Sequence, residues 1–212
     1  MQEHHLSVAR TARYFTLGAA GAGTRELWLV CHGYGQLASR FLKPFAAIDD
    51  GARLIVAPEG LSRFYADSGR HERVGASWMT REDRLTEIDD YLRYLDAVHA
   101  AVARELGARA SRLVVLGFSQ GVATAARWVA RGAAPAARLI AWAGELPPEL
   151  DLTTLGRGRL TMVCGRTDPL ITPKIFARDR ARLDAAGVTY DVHVFDGEHE
   201  LPDAELAAVA GG

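Results

Sequence analysis

A chain of 212 residues suits one hydrophobic core, and at this size folding buries roughly 70% of the unfolded surface, so neither a disulfide nor a metal staple is needed. Its 25 basic and 26 acidic residues leave a formal net charge of -1, which excludes the long-range attraction that nucleic-acid binding or an anionic membrane demands. Hydrophobic residues make up 49%, but no apolar run is long enough for stable membrane insertion.

From the first residue onward, the segment MQEHHLSVARTARYFTLG lacks the basic start and unbroken apolar stretch of a signal peptide, so a cytoplasmic location is expected. Leu6–Val8 and Ala12–Leu17 are predicted to form a hairpin at a sheet edge. Strand-like runs follow at Glu26–Cys31, Arg53–Ala57, Arg112–Gly117, Arg138–Trp142, Arg159–Cys164 and Tyr190–Phe195. Most are continuously apolar, the pattern of strands buried on both faces of a parallel sheet. Helical spacing occupies the intervals Ala38–Ile48, Leu85–Leu106, Gly121–Arg131, Pro173–Ala186 and Leu201–Ala210. This alternation predicts one α/β domain over residues 1–212, a mostly parallel, doubly wound sheet flanked by helices. Residues Leu61–Asp83 show no clean periodicity and are expected to be a functional loop near the active site. Cys31 and Cys164 lie in apolar runs and read as free, buried thiols.

The sharpest local pattern is Gly117-Phe118-Ser119-Gln120-Gly121, a G-x-S-x-G placed where a strand gives way to an alanine-rich helix. Ser119 would occupy a strained turn, and side chains two positions to either side would collide with it or with the neighbouring strand. A serine hydroxyl needs a base, and in chain order the acid and then the histidine follow such a nucleophile. Two histidines lie beyond Ser119. His193 sits inside the strand YDVHVF, whereas His199 follows that strand, and catalytic groups belong at the carboxyl ends of strands. The expected base is therefore His199. Asp168, just after the strand LTMVC, is the expected acid. Asp196 is its competitor, though a turn before Gly197 is the plainer role there, and Asp179 and Asp184 look like solvated helix positions. The backbone N–H groups of Gln120 and of Tyr34, in the Cys31-His32-Gly33-Tyr34-Gly35 loop, are the candidate oxyanion donors.

Through HGYG, APEG, SWMTRED, GFSQG, GRTDPLITP and DGEHEL, nearly the whole chain resembles the phospholipase/carboxylesterase family, which includes carboxylesterases and acyl-protein thioesterases. The resemblance implies the α/β-hydrolase fold, a triad of Ser119, Asp168 and His199, oxyanion donors at Tyr34 and Gln120, and hydrolysis of a small-molecule carboxylic ester through an acyl-enzyme. The run after Trp78 departs from the Trp-Phe-Asp typical of acyl-protein thioesterases. Thioesterase or lysophospholipase activity is the alternative within this chemistry, and a catalytically silent binding domain the alternative outside it. A dienelactone-hydrolase-like enzyme would typically carry cysteine at position 119. Trp78, Phe64 and Tyr65 are expected to wall the substrate site. No cofactor or metal is expected, since the histidines lack ligand spacing and no phosphate-binding glycine loop is present.

Overall fold

The computed structural model describes residues 1–67, 69–107 and 112–212. Seven strands form one sheet: β1 (Tyr14–Leu17), β2 (Glu26–Cys31), β3 (Arg53–Pro58), β6 (Arg112–Phe118), β7 (Arg138–Trp142), β8 (Arg159–Gly165) and β9 (Tyr190–Phe195). Their order is β1-β3-β2-β6-β7-β8-β9, with β1 antiparallel to β3 and every other pair parallel. Two further strands, β4 (Ser62–Tyr65) and β5 (Val74–Ser77), pair antiparallel as a separate hairpin. The fold is that of an α/β-hydrolase, a mostly parallel sheet covered by helices on both faces.

Strand side chains alternate between the two faces. Leu27, Leu29 and Cys31 of β2 join a core with Tyr91, Leu95 and Val98 of α2 (Arg84–Leu106) and with Ala125 and Trp128 of α3 (Gln120–Arg131). Trp28 and Val30 face the opposite core, with Phe41 of α1 (Ala38–Phe41), Phe45, and Leu206 and Val209 of α5 (Asp203–Gly211). Burial on both sides is why these strands read as unbroken apolar runs.

Three expected elements differ. The segment Ala38–Ile48 is not one helix but α1 followed by a 3₁₀ turn at Lys43–Ile48, because Pro44 has no N–H to carry the α-helical bonding back to Arg40. The last helix starts at Asp203 rather than Leu201, since Pro202 holds its predecessor extended and Asp203 and Glu205 complement the helix N-terminus. No N-terminal hairpin forms: Tyr14–Leu17 is a strand, while Leu6 and Val8 stand exposed outside any element. Helix α4 (Pro173–Ala185) is as expected, with Thr172 accepting from the Ile175 N–H at 3.4 Å and proline in its first turn.

The chain passes from β2 outward to β3, then crosses back to place β6 on the other side of β2. The loops leaving β2 and β6 thus meet at the point where the winding reverses, which is where open α/β sheets bind their ligands. Those loops carry Tyr34 and Ser119. No helix among the described residues is long and apolar enough to cross a membrane.

Candidate active site

Ser119 adopts φ 54° and ψ -119°, a conformation side-chain-bearing residues rarely hold unless their surroundings impose it. Two close backbone approaches impose it here. A Cβ on Gly117 would lie 2.3 Å from the Gly121 carbonyl oxygen, and one on Gly121 would lie 2.1 Å from that of Cys31. Only glycine fits at either position, so β6, the turn and α3 close tightly around the serine. Its backbone N–H donates to the Trp142 carbonyl at 2.9 Å. The β2 loop presses against the same point, since a Cβ on Gly33 would be 3.2 Å from Ser119 Cβ.

The loop after β2 is held from several directions. The buried His32 lies with Nδ1 2.8 Å from the Gly33 carbonyl, and its Nε2 accepts from the Gly60 N–H at 2.9 Å. An acceptor role at Nε2 assigns the proton to Nδ1. Burial also lowers the His32 pKa, favouring this neutral form. The Gly33 N–H donates to Gln36 Oε1 at 2.8 Å, and the Gly35 N–H to the Ala76 carbonyl of β5 at 2.9 Å. Between these anchored groups, the Tyr34 N–H has no acceptor among the described residues, and neither has the Gln120 N–H at the start of α3. Two unspent donors therefore flank Ser119.

The Gln120 side chain spans to the end of the β4–β5 hairpin. Its Nε2 donates to the Met79 carbonyl at 2.9 Å, and its Oε1 accepts from the Trp78 N–H at 3.2 Å. Sequence reasoning singled out the Gln120 backbone and overlooked its amide, as it overlooked His32 as an anchor. The HG pair and the residue after Ser119 were visible, but their partners lie more than 25 positions away.

Asp168 and His199 meet as expected, with Nδ1 2.8 Å from Oδ2. The carboxylate is buried, and its Oδ1 accepts from the N–H groups of Leu170 and Ile171 at 2.7 and 2.8 Å. The loops bearing the pair are joined by a Thr167 N–H donated to the Gly197 carbonyl at 3.0 Å. A Cβ on Gly165 would lie 2.2 Å from the Glu198 carbonyl, so glycine there lets them close. Phe118, next to Ser119, packs its ring 5.0 Å from the His199 ring, which puts the imidazole on the serine's side of the sheet edge. No hydrogen bond joins Ser119 Oγ to His199 among the described residues; such bonds are often loose in ligand-free sites and tighten around substrate.

The competitors are occupied elsewhere. Asp196 is 88% exposed and pairs with Arg166 at 2.7 Å, while His193 Nε2 lies 2.6 Å from Glu205. Asp179 is not solvated as its helical position suggested. It is buried, accepts from the Leu146 N–H at 2.7 Å and pairs with Arg178 and Arg182, because α4 turns that face inward against the segment after β7. Both cysteines are free and buried, and burial pushes the Cys164 thiol up to about 11 and raises Cys31 as well, so neither is a thiolate near neutral pH. Glu3, His5 and Asp83 bring three ligating atoms within 4.8 Å of one another, all on exposed side chains.

The region 61–83 departs most from expectation. It is not a plain loop, since β4 and β5 form within it and β5 docks on the HGYG loop. Trp78 is enclosed. It is 2% exposed, its Nε1 donates to the His32 carbonyl at 2.8 Å and its ring lies 4.9 Å from the His32 ring. An indole with its N–H satisfied and its ring enclosed belongs to the core. Phe64 is half-buried and stacks 5.1 Å from Tyr34, while Tyr65 is exposed and packs on His71. Among the described residues of this segment, Val74 reaches the cleft beside His199. Trp78→Ala is accordingly expected to remove about 3–5 kcal/mol of stability without changing which substrate is preferred. Thermal unfolding beside relative turnover of short and long acyl esters checks this, and an unchanged melting temperature with altered preference would return Trp78 to the wall.

No protein-family model matches the chain, and no curated protein does. Solved structures do. A carboxylesterase from Mesorhizobium loti superposes with a TM-score of 0.75 at 19% identity, covering 94% of this chain and 93% of its own. A Bacillus cereus carboxylesterase gives 0.72 at 15% identity, with 94% and 92% covered. Acyl-protein thioesterase 2 from Zea mays gives 0.71 at 17% identity, with 95% and 97% covered. The chain shares, from end to end, the α/β-hydrolase fold on which these esterases and thioesterases are built.

Proposed function

We propose that this protein hydrolyses carboxylic esters through an acyl-enzyme on Ser119. The observation that carries the reading is the convergence at one sheet edge of a strained serine, an Asp168-bound imidazole and two unpaired backbone N–H groups. With Asp168 accepting at Nδ1, His199 presents Nε2 as the base for Ser119 Oγ. The hydroxyl attacks the ester carbonyl, and the developing oxyanion draws the Tyr34 and Gln120 N–H groups. Loss of one such donor costs about 10²–10³-fold in related chemistry. His199 returns the proton to the departing alkoxide and then activates the water that frees the acid. Asp168 holds the tautomer and stabilises the imidazolium without taking a proton. Free buried thiols and near-zero net charge suit a cytoplasmic enzyme acting on small diffusible esters.

A fluorophosphonate probe is expected to label the protein once, at Ser119, and p-nitrophenyl esters of graded acyl length are expected to turn over. Labelling elsewhere, or thioester turnover outpacing matched oxyesters, would redirect the assignment.

A further inference from the structure

A half-open cleft of about 440 Å³ lies beside His199, walled by Phe41, Pro44, Val74, Phe118 and Leu201. Its polar side chains are those of Gln36, Arg40, His199 and Glu200. Gln36 gives its Oε1 to the Gly33 N–H, and because a backbone N–H can only donate, the amide orientation is fixed and Nε2 has no partner among the described residues. Arg40 lines the same cleft, and no carboxylate pairs with it among the described residues. The arginines around the hollow near Met79 and Leu146 behave otherwise: Arg84 and Arg127 hold Glu149, Arg178 holds Glu145, and Arg182 holds Asp179. The carboxylate that does reach the cleft, Glu200, accepts from the Glu198 N–H at 3.2 Å within its own loop. The cleft therefore offers two donors without a partner among the described residues, one of them cationic, across apolar walls from the anionic Glu200.

Building on the esterase reading, we propose that the acyl group bound there ends in a carboxylate, making the substrates half-esters of short dicarboxylic acids. The far carboxylate is received by the Arg40 guanidinium, with Gln36 Nε2 as a second donor, and the methylenes lie against Phe41 and Leu201. In the reaction, Ser119 Oγ bonds to the ester carbonyl carbon, the bond from that carbon to the alkoxy oxygen breaks, and the serine proton leaves on the alcohol by way of His199. Water then cleaves the acyl–Oγ bond, so one half-ester and one water give one alcohol, one dicarboxylate and one proton.

The test compares kcat/KM, by pH-stat, for monoethyl succinate, glutarate and adipate against neutral ethyl esters of matched length. The wild type is expected to favour at least one half-ester by about twofold to fivefold, the range open to an exposed ion pair. Arg40→Glu is expected to abolish or invert that ratio, Arg40→Lys to keep part of it, and 0.5 M NaCl to narrow it. Equal ratios in wild type and Arg40→Glu overturn the proposal, as does turnover of neutral esters alone. If fluorophosphonate labels Ser119 and neither ester class reacts, the half-ester proposal is lost and the serine-hydrolase reading stands. Absence of labelling and of all turnover would remove the hydrolase reading first.

Discussion

Ser119→Ala is expected to lower ester turnover by about 10⁴–10⁶-fold, because members of a nucleophile–base–acid set act as a unit and removing one forfeits nearly the whole gain. The substitution is local. Ser119 keeps its left-handed turn through the Gly117 and Gly121 approaches and through its own backbone N–H to Trp142, none of which involves the hydroxyl. Folding should therefore survive, and a melting temperature near that of the wild type is part of the expected result. Residual turnover above the uncatalysed rate would come from the Tyr34 and Gln120 donors, which remain in place. Steady-state kinetics with p-nitrophenyl acetate checks the claim. A loss of less than tenfold would show that another group delivers the nucleophile.

Asp168→Asn is the second large effect, expected at about 10⁴-fold in kcat, and its cause is a tautomer rather than a lost charge alone. Oδ1 of Asp168 accepts from two N–H groups, those of Leu170 and Ile171, so the asparagine must keep its oxygen there and turn its NH₂ toward His199. A donor facing Nδ1 makes that nitrogen the acceptor and moves the ring proton to Nε2, on the side of the serine. The imidazole then cannot receive the Ser119 proton. Flipping the amide would set the NH₂ against two backbone donors in a buried site, which is the costlier arrangement. Fluorophosphonate labelling should slow in parallel with turnover, and KM should change far less than kcat. Wild-type turnover in this variant would remove Asp168 from the mechanism and leave its bonds to the loop as its only role.

What was legible in the chain follows the range of the signals. Apolar runs and the GFSQG turn are local, so the sheet, its helices and the elbow could be read directly. The pairing of Asp168 with His199 was also readable, because both follow strands and chain order restricts the choice. The breaks at Pro44 and Pro202 are single-residue signals inside otherwise periodic segments, and periodicity alone does not show them. The hairpin β4–β5 escaped because its strands are four residues each and alternate weakly. The enclosure of Trp78 was hidden for a related reason. Its partner, the carbonyl of His32, is 46 positions away, and nothing near residue 78 marks that side chain as enclosed. Asp179 likewise gave no local sign that its face of α4 turns inward.

The hairpin's two ends are held very differently. At its base, Ala76 exchanges bonds with the Gly35 and Gln36 backbone, and the residues just beyond are tied by Gln120 to the start of α3. Toward its tip, the Asp67 carboxylate accepts from the N–H groups of Glu72 and Arg73 within the hairpin itself. The tip can thus be exchanged, lengthened or diversified as a cassette while the base keeps the loop after β2 and the start of α3 in register. Sequence at the tip is free to drift or be redesigned, for instance to carry a tag or a fusion, without disturbing the loop after β2.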